Sequence, residues 1–146
     1  MRVRLLSAIA ALTTLAAVAA CGGSDSTAPD NSAIVGTYNA FQWTTTGGTG
    51  QTNQLSIGST LQITLAANGS TSGHMHMAAS NGAPATDFDL AGTWSASDNT
   101  VTFTQVSDNF LRDMRFLAEQ VATNAWDLVG NDTFSGVAVS LRLRRQ

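Results

Sequence analysis

From residue 60 to the end of the chain, apolar side chains recur at every second position in short blocks. Leu61, Ile63 and Leu65 alternate with Gln62 and Thr64. Phe88, Leu90 and Trp94 share one parity, and Asp87, Asp89 and Thr93 share the other. Val101, Phe103 and Gln105 alternate with Thr102 and Thr104. Val137, Val139, Leu141 and Leu143 alternate with Ala138, Ser140, Arg142 and Arg144. A period of two with one polar face marks half-buried antiparallel strands. Such strands need a common core. Leu61, Ile63, Leu65, Phe88, Leu90, Trp94, Val101, Phe103, Val139, Leu141 and Leu143 are therefore expected to face one interior.

Turn chemistry separates the blocks. Ala67-Asn68-Gly69-Ser70 and Ser97-Asp98-Asn99-Thr100 suit tight hairpins, and Asn81-Gly82-Ala83-Pro84 and Gly130-Asn131-Asp132 suggest two more bends. Thr46 to Ser59, rich in Gly, Thr and Gln, reads as one long exposed loop. The strands then fall near 34–45, 60–67, 70–78, 86–96, 100–106, 114–120, 123–129 and 133–144. The fold class is all-β, an antiparallel up-and-down meander of about eight strands. Closing it into a small barrel removes the exposed edges.

One segment fits two patterns. Between Asn109 and Val121, Phe110, Leu111, Met114, Leu117, Ala118 and Val121 make a helical stripe, with Asp108 available as N-cap. Phe116 breaks that stripe and, with Met114 and Ala118, fits a strand. Periodicity alone leaves both open; closure of the meander favours a turn followed by a strand.

Composition excludes several kinds of chemistry. The 146 residues carry a formal charge of −3, no lysine and a single cysteine, Cys21. No lysine means no Schiff base and no P-loop lysine. A sparse acidic surface argues against nucleic acid, whose recognition needs clustered basic residues. The one basic cluster, Arg142, Arg144 and Arg145, lies on the terminal strand. A serine triad would have to use His74 or His76, and no nucleophile-elbow motif is present. No catalytic residue and no cofactor is assigned.

The N-terminus reads as an export signal. Arg2 and Arg4 precede an apolar run from Leu5 to Val18, and the run ends in Ala19-Ala20-Cys21. Leu5 to Ala20 is 16 residues, short of the roughly 20 that span a bilayer. A cysteine directly after small residues resembles the lipobox of bacterial lipoproteins. The resemblance implies cleavage before Cys21, lipidation of its thiol and acylation of the new amino terminus. Gly22 stands where an inner-membrane retention signal would place Asp, which by the same resemblance implies the outer membrane, facing the periplasm. The expected organisation is a signal peptide at 1–20, a flexible tether at 21–32 (Cys21, then GGSDSTAPDNS) and one β-barrel domain at 33–146.

Gly36-Thr37-Tyr38 opens the first strand, and Gly92-Thr93-Trp94 lies in a middle one. A G-x-W/Y motif in strand one, with arginine near the end of the last strand, resembles the lipocalin superfamily. The Gly-Thr-Trp tripeptide is similar to small bacterial lipocalin-like lipoproteins. The resemblance covers about 34–146. It matches Gly36 and Tyr38 with Arg142 or Arg144, with tyrosine in place of the usual tryptophan and no disulfide. It implies a barrel holding a small apolar ligand, for which Tyr38, Trp43, Trp94, Phe103 and Trp126 are the candidate lining residues. An eight-stranded interior can equally be filled by side chains. The alternative function is thus a structural or interaction lipoprotein with a solid core, displaying a surface such as Thr46–Ser59.

His74-Met75-His76-Met77 is the densest set of potential metal ligands. On a strand the two histidines share one face, and Asp87 and Asp89 on the next strand can complete a His–Asp set for Zn²⁺ or Cu²⁺. The same residue types make ordinary cross-strand pairs in solvent.

Overall fold

The structure, a computed structural model, describes residues 31–80 and 82–146. The export signal, Cys21 and the tether up to residue 30 lie outside the described residues. The strands are β1 (Gly36–Gly47), β2 (Gly50–Asn53), β3 (Thr60–Leu65), β4 (Ser70–Met77), β5 (Thr86–Asp89), β6 (Gly92–Ser97), β7 (Thr100–Gln105), β8 (Arg115–Ala122), β9 (Ala125–Phe134) and β10 (Val137–Arg145). Short 3-10 turns occupy Asn31–Ile34, Leu55–Ile57 and Phe110–Arg112.

These segments form eight staves. β2 and β3 both pair with β1 and make one stave broken by the 55–57 turn. β5 and β6 both pair with β4 and make another. Each stave is antiparallel to its sequence neighbour, and β10 returns to pair with β1 from Tyr38↔Arg145 to Thr46↔Ala138. The result is the expected all-β, closed, eight-stranded meander, an architecture consistent with a lipocalin-like fold. One end, the base, gathers the start of β1, the end of β10 and the 66–69, 98–99 and 123–124 turns. The mouth gathers the 48–49, 106–114 and 135–136 connections and the described residues between β4 and β5.

The alternation places the core as expected. Leu61, Ile63, Leu65, Leu90, Trp94, Val101, Phe103, Val139, Leu141 and Leu143 are each no more than 7% exposed. Phe88, on a half-stave at the mouth, is half-buried against them. Tyr38 and Trp43 both point inward although their parities differ. A bulge between Ala40 and Gln42 inserts Phe41 and reverses the facing of β1.

Four local readings change. The expected loop at Thr46–Ser59 is instead the β1–β2 hairpin, laddered from Gly47↔Gly50 to Thr44↔Asn53, followed by a 3-10 turn. Polar side chains hold it down. Gln54 Nε2 donates to Thr45 Oγ1 at 2.8 Å, Ser59 Oγ donates to Gln54 Oε1 at 3.1 Å, and both Gln54 and Ser59 are buried.

The bend expected at Gly130-Asn131-Asp132 is absent from the described chain, because β9 runs straight through it. The turn lies at Ser135-Gly136, whose φ values of +48° and +79° suit a two-residue hairpin of the primed type. Gly130 serves packing instead. A Cβ there would lie 2.5 Å from Met114 Sδ and 2.7 Å from the Phe116 ring.

The 109–121 segment is a turn followed by a strand, as closure of the meander favours. Its cap is Asn109, whose Oδ1 accepts from Leu111 N at 3.1 Å, rather than Asp108, which pairs with Arg112 at 2.8 Å. The single strand expected at 86–96 breaks after Asp89. Gly73 on β4, at φ +149°, bends its strand there, and Leu90 N donates to Gly73 O at 2.9 Å.

Gly130→Ala therefore overfills the core. Urea unfolding should show a loss of roughly 1–3 kcal/mol with little change in slope. A loss below about 0.5 kcal/mol would mean that Met114 and Phe116 do not need the space.

Candidate functional site

The base of the barrel is built around Tyr38 and Arg145. Tyr38 is fully buried, and its hydroxyl donates to Ile34 O at 2.7 Å, tying the 31–34 turn across the barrel end. Burial pushes its phenol up to about 12, opposed by the positive charge of Arg145. Arg145 is the next inward position of β10 after Leu143 and the register partner of Tyr38. Its guanidinium donates to Ala33 O at 2.6 Å, to Val35 O at 3.3 Å and to Asn124 O. Its aliphatic stem lies on Gly36, where a Cβ would meet Cδ at 2.7 Å.

The base arginine is thus Arg145, and neither Arg142 nor Arg144 fills that role. Both lie at the outward parity of β10. Arg144 makes a bidentate pair with Asp127, 2.9 Å on each arm, and stacks over Phe41 at 4.3 Å. Arg142 pairs with Glu119 at 3.1 Å.

The five candidate ligand-lining residues are brought to one interior, where four of them fill it. Tyr38 and Trp43 are 0% exposed, Phe103 3% and Trp94 7%. Trp43 packs on Phe110 at 5.6 Å between ring centres, Phe110 on Phe134 at 5.8 Å, and Phe103 edge-on to Phe116 at 5.3 Å. Trp94 Nε1 donates to Ala66 O at 2.9 Å. Trp126 is half-buried at the base, beside a crevice of about 120 Å³ shared with Ile34, Ala96 and Ala118.

The His–Asp set lies on the outer face of β4 and β5. Met75 is buried and Met77 packs on the core, so His74 and His76 point outward. The register pairs His74 with Asp89 and His76 with Asp87. The side chains converge differently. Asp87 Oδ1 lies 2.8 Å from His76 Nδ1 and 3.3 Å from His74 Nε2. Asp89 joins neither contact. The three side chains are 35–60% exposed, so water screens the pairs and each contributes little to stability. Among the described residues no group of three His, Cys, Asp or Glu is spaced to hold a metal ion.

A further feature was not legible in the sequence. At the mouth, the outer faces of β2, β1, β10 and β9 form a trough of about 350 Å³ lined by Thr44, Thr46, Gln51, Asn131, Asp132, Thr133, Ala138, Val139 and Ser140. Four of those residues, Thr46, Gln51, Asn131 and Asp132, come from the two segments read as a loop and as a bend. The signal available was parity: with Val139 and Leu141 inward, Ala138 and Ser140 must face out.

Comparison of the sequence with family models and with curated proteins finds no match. What is consistent with a lipocalin-like fold is the closed eight-stranded barrel.

Tyr38 is the only tyrosine in the chain, so its titration can be read cleanly. The unfolded chain ionises its phenol near pH 10, and the folded chain near 12. The contribution of Tyr38 to stability should be constant below pH 10 and fall by roughly 2–3 kcal/mol as pH rises through that window. Tyr38→Phe should cost about 1 kcal/mol at pH 7 and flatten the alkaline decline. An unchanged decline in the variant would place its origin elsewhere.

Proposed function

We propose that this protein is a lipid-anchored barrel of the bacterial cell envelope that works through its outer surface, its interior serving stability. The observation that carries this reading is the packed interior. A carrier of drug-sized apolar ligands needs a pocket of roughly 300–1,000 Å³. Here the aromatic residues expected to line one are buried against each other, and the crevice beside Trp126 is about 120 Å³. Depressions of about 350 and 410 Å³ lie on the outer face.

The anchor reading is supported by Val18-Ala19-Ala20-Cys21 and by where the described chain enters the barrel. Asn31 lies at the base, ten residues after Cys21, a reach of at most about 35 Å when extended. A lipid at Cys21 keeps the base near the bilayer and presents the mouth away from it.

Two measurements test the reading. Cys21→Ser should abolish labelling with radioactive palmitate and move the protein from the membrane to the soluble fraction; a variant that labels and pellets like wild type would overturn the anchor. Native mass spectrometry of protein from its own host should give the lipidated chain with no further small molecule. A retained apolar ligand, or a melting temperature raised by a fatty acid, would make the protein a carrier. A rise with Zn²⁺ or Cu²⁺ that is lost in His76→Ala would assign the outer His–Asp set as a cation site instead.

A further inference from the structure

We infer that His74 and His76 form a two-imidazole site for a copper(II) ion on the outer face of β4. They are the only two histidines in the chain. Met75 is buried between them and Met77 packs on the core, so the alternation of β4 sends both imidazoles outward on one face. Same-face neighbours on a strand lie about 7 Å apart. Two rings turned toward each other close that gap on one ion, each giving a nitrogen at about 2.0 Å.

The side chains are already drawn together. Ladder pairing sets His74 opposite Asp89 and His76 opposite Asp87. His74 leaves its partner: its Nε2 lies 3.3 Å from Asp87 Oδ1, and His76 Nδ1 lies 2.8 Å from the same oxygen. With the proton of His76 on Nδ1, donated to Asp87, Nε2 keeps its lone pair for the ion. A carboxylate behind the ring is the usual partner of a metal-bound histidine. Asp87 is thus a positioning residue, and its charge offsets part of the ion's. The His74 and His76 side chains are 52% and 35% exposed, so both rings are free to turn and an ion reaches them from solvent.

The donor atoms select the occupant. Among the described residues no third His, Cys, Asp or Glu is spaced to complete a set. Structural zinc takes four protein ligands and catalytic zinc three. Calcium and magnesium take oxygen. Copper(II) accepts a tetragonal mixture of nitrogen and oxygen and stands highest among the divalent ions in affinity. Two imidazoles, with water at the remaining positions, therefore suit copper(II), held in exchange with solvent. The site names one thing that the outer surface holds. It needs neither the lipid at Cys21 nor an interior cavity, so it stands if the anchor test fails.

Titration of the purified Cys21→Ser protein, which has no thiol to compete, with copper(II) and zinc(II) tests the site. Copper(II) should bind one per chain with a Kd on the order of 10 μM, and zinc(II) at least about 10-fold more weakly. Paramagnetic broadening of amide signals should centre on β4 and β5, and electron paramagnetic resonance should show coupling to imidazole nitrogen. His74→Ala and His76→Ala should each weaken binding by about 10-fold or more. Asp87→Asn should weaken it about 10-fold with the metal-free melting temperature unchanged, and Asp89→Asn should leave it as it is. Four outcomes overturn the assignment: a Kd above about 1 mM, broadening centred elsewhere on the chain, binding retained in the double histidine variant, or zinc(II) bound more tightly than copper(II). Equal losses in Asp87→Asn and Asp89→Asn would show a diffuse attraction to the acidic strand, and would also overturn it.

Discussion

Closure of the barrel depends on β1 pairing along nearly its whole length with β10, from Tyr38↔Arg145 to Thr46↔Ala138. Without it the meander has two free edges, each a row of unpaired amides and carbonyls open to other chains. With it, the inward side chains share one closed core. The first and last strands are far apart in sequence, so their pairing orders the longest loop in the fold. The base therefore couples chain closure to burial. Arg145 is held by three carbonyl groups at the base, and Tyr38 beside it holds the 31–34 turn.

The same strand must serve two geometries. At the base β1 lies between β10 and β3; at the mouth it lies between β10 and β2. The bulge at Phe41 makes the change possible. It reverses facing, so Tyr38 and Trp43 both enter the core, and it turns the mouth half of the strand outward with β2. Phe41 itself, expelled to the outer face, is covered by Arg144, whose charge is fixed by the buried Asp127. Arg144 and Asp127 thus support the β1 bulge from the outer face.

Period-two alternation made the staves and most of the core legible, because burial of one face is a local pattern. It reached further than the motif resemblance did. The inward series Val139, Leu141, Leu143 continues to Arg145, while the lipocalin-like match pointed to its outward neighbours. Glycine was the main source of error. Gly130 beside Asn and Asp has turn chemistry, yet it is there because Met114 and Phe116 occupy the volume of its side chain. That reason is tertiary and leaves no local trace. Thr46 to Ser59 failed for a related cause: its order comes from Gln54 and Ser59 bonding inward, and a run of neutral polar residues looks the same whether solvated or buried. At the His–Asp set, sequence spacing found the right two strands. Rotamers, which spacing does not set, brought both imidazoles to Asp87 and left Asp89 aside.

A β-barrel must place half of its strand side chains in water, and pairing those side chains with each other stabilises the sheet by a few tenths to about 1 kcal/mol per pair. Part of this surface takes that gain, in threonine pairs, amide pairs and the arginine–carboxylate pairs of β8, β9 and β10. Other outward neighbours in register make no bond to any described residue, as with Thr93 and Thr104 across β6 and β7 and Thr44 and Ser140 across β1 and β10. Water satisfies those groups, so leaving them unbonded costs the fold little. The outer pair with a structural task is the one at an irregular place: Arg144, held by Asp127, covers Phe41 where the β1–β10 ladder shifts register.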